Sequence, residues 1–405
     1  MAEIAQIELL GMDRGDLAAL ADSLGEPAYR GQQLLEAVYR QRVERVDEIT
    51  TLSQALRIKL ADRGITLGIP RSEQRFVSVD GTVRYLIAFA DGQSVETVWM
   101  PEGDGGEAED FAENSSLSTS GAKARSEEQS VAALKRCATQ KQGQDRQQSG
   151  RQNWGRATIC ISSQVGCAVD CQFCLTALMG VKRNLTAGEI VGQVLAVLKD
   201  QQVSPQHDRI NLVFMGMGEP FLNYDNFIKA VRLLVQEVGL AESRMTVSTA
   251  GIVPRIADFG QEAIRPRLAI SLNASNDDLR TKLMPLNRKY NLQKLMEAAR
   301  EFPLRNRERV TFEYVLLHNV NDLPENAREV IDLLKGIKAR VNLIALNPGP
   351  GIDFETPADE AVAAFQGILR DAGILTFVRR PRGRDIYAAC GQLKRTVEIA
   401  TAPAP

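Results

Sequence analysis

The cysteines of this 405-residue chain are concentrated in one short stretch. Four of the six lie in CISSQVGCAVDCQFC, residues 160–174, where Cys167, Cys171 and Cys174 form the spacing C-x3-C-x2-C. Three thiolates on one loop can bind a metal centre, but structural zinc needs four ligands and an ordinary ferredoxin cluster needs four cysteines. The chain has only two histidines, neither near this loop, and no second C-x2-C pair. The spacing favours a 4Fe-4S cluster with one iron open to an outside ligand, and zinc completed by a distant residue is the alternative.

Three more residues carry groups that could take part in chemistry. Cys160 lies seven residues before the loop, Cys390 lies in DIYAACGQL, and Glu96 lies in SVETVWMP. Taken singly, a cysteine at the end of a buried strand is usually a small core residue. The alternation V-E-T-V-W would place Glu96 on a solvent-facing side of its strand. These residue types therefore point to chemistry only in combination.

The elements around the cysteine loop alternate in type. Strand-like runs are separated by helical stretches such as TAGEIVGQVLAVLKD, in which Thr186 and Glu189 form a capping box. Such strand–helix repeats predict an α/β fold with a parallel sheet, and about six units indicate a partial (βα)6 barrel. In barrels of this kind the ligand residues lie at the carboxyl ends of the strands. The strand-like runs are ATICIS, RINLVFMG, RMTVST, RLAISLN, RVTFEYVLL and RVNLIALN.

Composition divides the chain into five regions. Helical periodicity predicts a helical accessory domain at 1–70, and two Asp-Gly turns predict a β-meander at 71–102. The polar segment 103–155 is low in complexity, and we expect a disordered insert in which Cys137 is an incidental thiol. The catalytic domain follows at 156–395, with a short tail at 396–405.

The amino terminus, the lengths of apolar runs and the net charge indicate the cellular location and the kind of partner to expect. The amino terminus lacks the basic and apolar regions of a secretion signal, and no stretch approaches 18 uninterrupted apolar residues. We therefore expect a cytoplasmic protein without a membrane partner. The formal net charge of −2 excludes a global basic field, so any binding of nucleic acid must use local patches.

The combination of motifs resembles the radical S-adenosylmethionine (SAM) methyltransferases that modify adenine C2 in 23S rRNA and in tRNA. Besides the cysteines, GMGEP, VSTAGIVP, SLNASND, LMPLN and LNPGP carry the resemblance, which covers nearly the whole chain except 103–155. It implies a radical SAM barrel with a 4Fe-4S cluster on Cys167, Cys171 and Cys174. It also implies two SAM molecules per turnover and a one-electron reductant of the flavodoxin or ferredoxin type.

The resemblance assigns a role to each remaining candidate. Cys390 would take a methyl group from one SAM, and a radical derived from the second would remove a hydrogen from that methyl group. The carbon would then add to adenine C2, Cys160 would resolve the adduct as a disulfide with Cys390, and Glu96 would accept the C2 proton. Expected SAM contacts at strand ends are Gly218, Glu219, Ser248, Ser271, Asn273 and Asn347.

Basic residues near these motifs suggest where RNA would bind. One cluster (Arg379, Arg380, Arg382 and Arg384) precedes Cys390, and a second (Arg280, Lys282, Arg288 and Lys289) flanks LMPLN. By the resemblance, Tyr29, Arg30, Gln32 and Gln33 of the helical domain would help to remodel RNA. Two alternatives remain open: methylation of adenosine C8 with the same cysteines, and a non-catalytic iron–sulfur protein that binds RNA.

Overall fold

The computed structural model describes residues 7–101 and 155–393. Predicted features at 103–154, including Cys137, and the predicted tail at 396–405 lie outside these ranges. The strands are β1 (Ile7–Glu8), β2 (Ile65–Thr66), β3 (Arg71–Val77), β4 (Val83–Ala88), β5 (Ser94–Pro101), β6 (Ala157–Cys160), β7 (Gln164–Gly166), β8 (Val181–Asn184), β9 (Ile210–Phe214), β10 (Met245–Thr249), β11 (Arg267–Ser271), β12 (Val310–Leu316), β13 (Ala339–Ala345) and β14 (Leu375–Arg379).

The helices cover the sheet and the amino-terminal region. They are α1 (Arg14–Ser23), α2 (Tyr29–Leu35), α3 (Gln54–Asp62), α4 (Leu175–Leu178), α5 (Ala187–Asp200), α6 (Tyr224–Leu233), α7 (Val253–Gly260), α8 (Asp277–Leu283), α9 (Leu292–Glu301), α10 (Pro324–Leu333) and α11 (Asp359–Asp371). Single π-helical turns extend α2 and α6. No helix in the described ranges combines the length and apolar character needed to span a bilayer.

One ten-stranded sheet organises the molecule. Its order is β14-β13-β12-β11-β10-β9-β6-β5-β4-β3, and every pairing from β6 to β14 is parallel. The meander β3–β5 adds antiparallel strands at the β6 edge. This architecture confirms the predicted α/β fold with a partial barrel, amino-terminal helices and a meander. The six predicted strand–helix units start at β6, β9, β10, β11, β12 and β13, and β14 adds a seventh parallel strand that was not predicted.

Local sequence determines how α5 begins and what it covers. The Thr186 hydroxyl accepts a hydrogen bond from the Glu189 amide at 3.1 Å, and the Glu189 carboxylate accepts one from the Thr186 amide at 2.8 Å, which is the predicted capping box. A Cβ on Gly188 would lie 2.2 Å from the carbonyl oxygen of Leu10, so only glycine permits this contact. The helix thus fixes the amino-terminal segment against the barrel.

Two hydrophobic cores support the strand ends. The main core runs from Leu9 to Leu393 through the sheet and its helices. A smaller core surrounds the cysteine loop and includes Val169, Phe173 and Met284, with the three loop cysteines packed against it. The loop is therefore held by apolar packing at the carboxyl ends of the barrel strands.

Candidate active site at the carboxyl ends of the strands

The three loop cysteines face one cavity. Cys167 follows β7 and donates its backbone N–H to the Gly180 carbonyl at 3.2 Å, and the Cys174 amide donates to the Cys171 carbonyl at 3.1 Å. All three line a cavity of about 160 Å³. Burial raises the pKa of Cys167 to about 12 and raises that of Cys171 well above its ordinary value, and the neighbouring thiols add to both shifts. A bound metal centre would favour the thiolate forms of these cysteines.

The donor set fits an iron–sulfur cluster. It consists of three thiols in an apolar shell, and polar groups line the same cavity. Within 7–101 and 155–393, no three His, Cys, Asp or Glu side chains are arranged to hold a metal ion. A cluster attaches each thiolate to a different iron, so its ligands are spaced more widely than those of one ion.

The cavity lining also includes a glycine followed by a buried carboxylate. Gly218 has φ +95°, and a Cβ there would lie 2.5 Å from Cβ of Gln164. The next residue, Glu219, is 4% exposed, and its carboxylate accepts hydrogen bonds from the amides of Phe221 at 3.0 Å and Ala250 at 2.7 Å. Burial raises the pKa of Glu219 to about 7, against these hydrogen bonds. A cationic ligand in the cavity would favour its ionised form.

Two serines in the cavity lie close together, and one of them binds a carboxylate. The Ser248 hydroxyl donates to Oε2 of Glu313 at 2.8 Å and lies 3.3 Å from the hydroxyl of Ser271. The other carboxylate oxygen, Oε1, accepts from Nη1 of Arg379 at 3.5 Å. Glu313 therefore links the predicted SAM-binding wall to the arginine cluster.

Two asparagines complete the set of six predicted SAM contacts, all of which line this cavity. Asn273 adopts φ +56°, and its side chain accepts from the Val315 amide at 2.9 Å. Asn347 donates to the carbonyl oxygen of Cys390 at 3.5 Å, while its own Oδ1 is buried without a hydrogen-bond partner. That orphaned acceptor is available to a ligand with a donor group.

A second, smaller cavity of about 60 Å³ adjoins the first. Both cavities are lined by Cys390, which is exposed, and the smaller one is also lined by the buried Cys160. Burial raises the pKa of Cys160, and the proximity of Cys390 adds to this shift. Arg379, Arg380 and Arg382 line the same cavity, so three of the four residues of the first arginine cluster lie beside both thiols, and Arg384 does not line it.

Glu96 is not brought into either cavity. It is 1% exposed, and its carboxylate accepts a hydrogen bond from Arg84 at 2.8 Å in a buried ion pair. Val98 pairs with Cys160, so the alternation of β5 places Glu96 on the same face of the sheet as that thiol. The solvent exposure expected from the strand pattern is wrong, because the Glu96 side chain is enclosed together with its buried partner Arg84.

The second basic cluster differs from its prediction at one residue. Arg280 is fully buried, and its guanidinium donates to the carbonyls of Leu272, Ala250 and Ser271 and to Oδ1 of Asn287. The prediction that Arg280 binds phosphate at the surface is therefore wrong, because its N–H groups already donate to buried oxygen atoms. The other members (Lys282, Arg288 and Lys289) are exposed.

The predicted RNA-remodelling residues lie on α2. Tyr29 is 55% exposed, and the guanidinium of Arg30 lies 4.9 Å from the centre of its ring. Arg30 also donates to Gln33 at 2.8 Å, and Gln32 donates to Glu36 at 2.9 Å. These contacts leave the tyrosine ring as the most exposed group of the set.

Sequence reasoning missed Glu313 and Gln164. Glu313 stands alone among apolar residues in VTFEYVL, a strand covered on both faces, and that isolated charge is a signal that could have identified it. Gln164 accepts from the Glu219 amide at 2.9 Å, a contact between distant segments that no local pattern indicates.

Known proteins share this arrangement along nearly the whole chain. The Radical SAM superfamily model matches residues 161–334, and the model of the ribosomal RNA large subunit methyltransferase N-terminal domain matches 7–65. A probable dual-specificity RNA methyltransferase RlmN from Koribacter versatilis is 60% identical over 380 residues, covering 94% of this chain and 99% of that protein. The dual-specificity RNA methyltransferase RlmN of a Campylobacter jejuni strain is 40% identical, with coverage of 93% and 96%. The crystal structure of a radical SAM methyltransferase from Sphaerobacter thermophilus superposes with a TM-score of 0.78 at 38% identity, covering 96% of this chain and 99% of that one.

Proposed function

Since this chain belongs to the RlmN family of radical SAM RNA methyltransferases, we propose that it methylates C2 of a specific adenosine in 23S rRNA and of an adenosine in tRNA. The observation that carries the proposal is the position of Cys390, which lines both the cavity of the loop cysteines and the cavity of Cys160. A methyl group on this sulfur would be within reach of ligands on either side.

Family membership implies a 4Fe-4S cluster and SAM. Cys167, Cys171 and Cys174 would hold the cluster, which when bound supplies the electron that cleaves SAM to a 5′-deoxyadenosyl radical. The polar residues of the larger cavity would bind SAM, with Glu219 facing its ammonium group and the unpartnered Oδ1 of Asn347 accepting a donor. One turnover would consume two SAM molecules, one for the methyl group and one for the radical.

The two thiols would carry the methyl group and release the product. The Cys390 sulfur takes the methyl group by displacement, forming an S–C bond as the C–S bond of SAM breaks. One hydrogen atom of the methyl group passes to the radical derived from the second SAM, and the carbon then bonds to adenine C2 and links the enzyme to RNA. Cys160, buried in the same small cavity, forms a disulfide with the Cys390 sulfur as the bond between that sulfur and the carbon breaks. The carbon takes up a proton and stays on the base as a methyl group, and one electron would return from the adduct to the cluster.

A proton must leave C2 to restore aromaticity, and Glu96 is the proposed acceptor. Its ion pair with Arg84 holds the carboxylate on the same face of the sheet as Cys160. Because Glu96 lines neither cavity, the proton would pass to it through water or after a shift on RNA binding.

RNA would approach from the side of the arginine cluster. Arg379, Arg380 and Arg382 beside Cys390 provide charge for phosphate groups at the entrance to the smaller cavity. The target adenine must leave its stack to reach the thiol, which costs a few kcal/mol. The helical region at 1–70 would help to open the RNA, and a reductant of the flavodoxin or ferredoxin type would supply electrons.

The decisive experiment uses RNA with deuterium at adenine C2. We expect the methylated nucleoside to have lost that deuterium, as measured by mass spectrometry. Retention of deuterium in a methylated product would instead indicate C8 methylation. RNA binding without methylation or 5′-deoxyadenosine would indicate a non-catalytic protein. A Cys390→Ala variant should retain its cluster and lose methylation entirely.

A further inference from the structure

The segment that carries Cys390 is tied to the barrel just after the cysteine. The Leu175 amide donates to the Gly391 carbonyl at 2.8 Å, and the Thr176 hydroxyl donates to the Leu393 carbonyl at 2.7 Å. Gln392 donates to the Pro348 carbonyl at 2.8 Å. These contacts join the carboxyl-terminal side of the segment to the helix that follows the cysteine loop and to the loop after β13.

A second set of contacts ties the same segment to the meander, more than 300 positions earlier in the chain. Asp385 accepts hydrogen bonds from the Ser78 hydroxyl at 2.5 Å and from the Val79 amide at 3.2 Å. In return, Asp80 in the β3–β4 turn accepts one from the Gly383 amide at 3.0 Å. Each of the two segments thus supplies one carboxylate, which accepts hydrogen bonds from the other segment.

Both sides of this contact are shaped for it. The turn is closed by the Ser78 amide donating to the Thr82 carbonyl at 2.8 Å, and Asp80 also accepts from the Thr82 amide at 2.9 Å. Gly383 has φ +59°, and a Cβ there would lie 2.7 Å from Cβ of Ala388 and 3.0 Å from Cγ2 of Thr82. A side chain at position 383 would therefore strain the backbone and crowd Ala388 in its own segment and Thr82 across the contact.

Without these contacts little regular structure would fix the position of Cys390. Between β14 and the end of the described chain the backbone forms a single short 3₁₀ turn, at Arg384–Ile386. Gly383, Tyr387 and Gly391 all have positive φ values, so the segment changes direction repeatedly. A thiol on such a segment has a defined position only if contacts on both sides hold it.

We propose that Asp80 and Asp385, with their hydrogen bonds to Gly383, Ser78 and Val79, form a latch that positions the Cys390 thiol between the two cavities. The meander thereby acts as a positioning element for the methyl carrier. The inference rests on the proposed role of Cys390. Its physical basis is that removing one of two anchors enlarges the volume the thiol samples, and so lowers its effective concentration at Cys160 and at the larger cavity.

Disulfide formation gives a readout that needs no methylation. Oxidised glutathione converts the Cys160 and Cys390 thiols to a disulfide and is itself reduced to two glutathione thiols. Peptide mass spectrometry of anaerobically purified protein in glutathione buffers then yields the effective concentration of this pair. We expect a fall of about tenfold or more in an Asp80→Ala, Asp385→Ala double variant, and a smaller fall in Asp385→Asn, which keeps one acceptor oxygen. Asp371→Ala, an exposed aspartate at the end of α11, is the matched control and should behave as wild type.

Hydrogen exchange separates positioning from general stability. Amides of residues 383–393 should exchange faster in the double variant, while those of the central parallel strands keep their protection. The latch would be overturned if a folded double variant kept both the wild-type effective concentration of the two thiols and the wild-type exchange rates of residues 383–393. Should that variant not fold, Asp385→Asn alone decides by the same two measurements. A wild-type protein that forms the disulfide but never methylates RNA would refute the proposed function and leave the latch standing.

Discussion

Glu219 shows how burial sets the charge of a single residue in the site. Its carboxyl group is almost fully enclosed, and burial raises its pKa from 4.5 to about 7. A group whose pKa is higher in the folded protein than in the unfolded chain binds its proton more tightly when folded. Its contribution to stability is therefore complete below about pH 4.5 and is lost as the pH rises through about 7.

A Glu219→Gln variant should remove this dependence on pH. The wild-type free energy of unfolding is expected to fall relative to that of the variant between about pH 4.5 and 7, by on the order of 3 kcal/mol. Urea unfolding at several pH values measures the difference, with Glu360→Gln, an exposed glutamate of α11, as the control. Parallel pH profiles for wild type and Glu219→Gln would contradict the argument.

The residues that follow a strand directly were the easiest part of the site to predict. The loop cysteines and the polar residues at strand ends could be identified because barrels gather ligands at one edge, and the structure places all nine around one cavity. Arg280 was misassigned for the opposite reason. Its charge resembled its neighbours in the sequence, but its position on α8 turns it towards carbonyls of β11 and of the loop after β10.

Among the elements, the turn after β9 requires glycine at one position. Gly218→Ala should displace both Gln164 and the Glu219 carboxylate, because a Cβ would lie 2.5 Å from Gln164 and φ +95° is unfavourable for alanine. We expect a loss of SAM affinity of tenfold or more and a destabilisation of about 1–3 kcal/mol. Equilibrium dialysis with SAM and urea unfolding measure the two effects.

Gly367→Ala provides the matched control for that substitution. Gly367 lies inside α11 with open space around its Cα, so alanine should stabilise the helix by about 0.5–1 kcal/mol without changing SAM affinity. Equal effects of the two substitutions on SAM binding would argue against a specific role for the turn.

The one parallel strand that the sequence did not reveal is β14. Its sequence, LTFVR, is short and runs directly into the arginine cluster, so its strand character is visible only in its pairing with β13. The strands with long apolar runs were found because their period and length are local properties. An edge strand is defined largely by its hydrogen bonds to the neighbouring strand, and a sequence pattern does not show those bonds.

At the scale of the whole molecule, the site is assembled from distant parts of the chain. The meander near residue 80, the cysteine loop near 170 and the segment near 385 meet through hydrogen bonds between backbone and side chains. Each of the three segments could be recognised in the sequence by its own motif. The contact between Asp385 and Ser78, however, depends on how the fold brings two distant segments together. Such long-range juxtaposition has no local sequence signal.

The chain outside the described ranges offers a last test at this scale. Pro101 at the end of β5 pairs directly with Ala157 at the start of β6, so the residues before and after 102–154 already lie side by side. A short connection could close this hairpin, and closing a long loop costs more entropy than closing a short one. Deletion of Glu107–Asn153 should therefore preserve the fold and raise the free energy of unfolding by roughly 1–2 kcal/mol.

RNA methylation by this deletion variant should continue at the wild-type rate, because all the residues of both cavities remain. Urea unfolding and methylation assays on the deletion variant and the full chain test this. A folded deletion variant that binds SAM but no longer methylates RNA would show instead that the segment contacts the substrate.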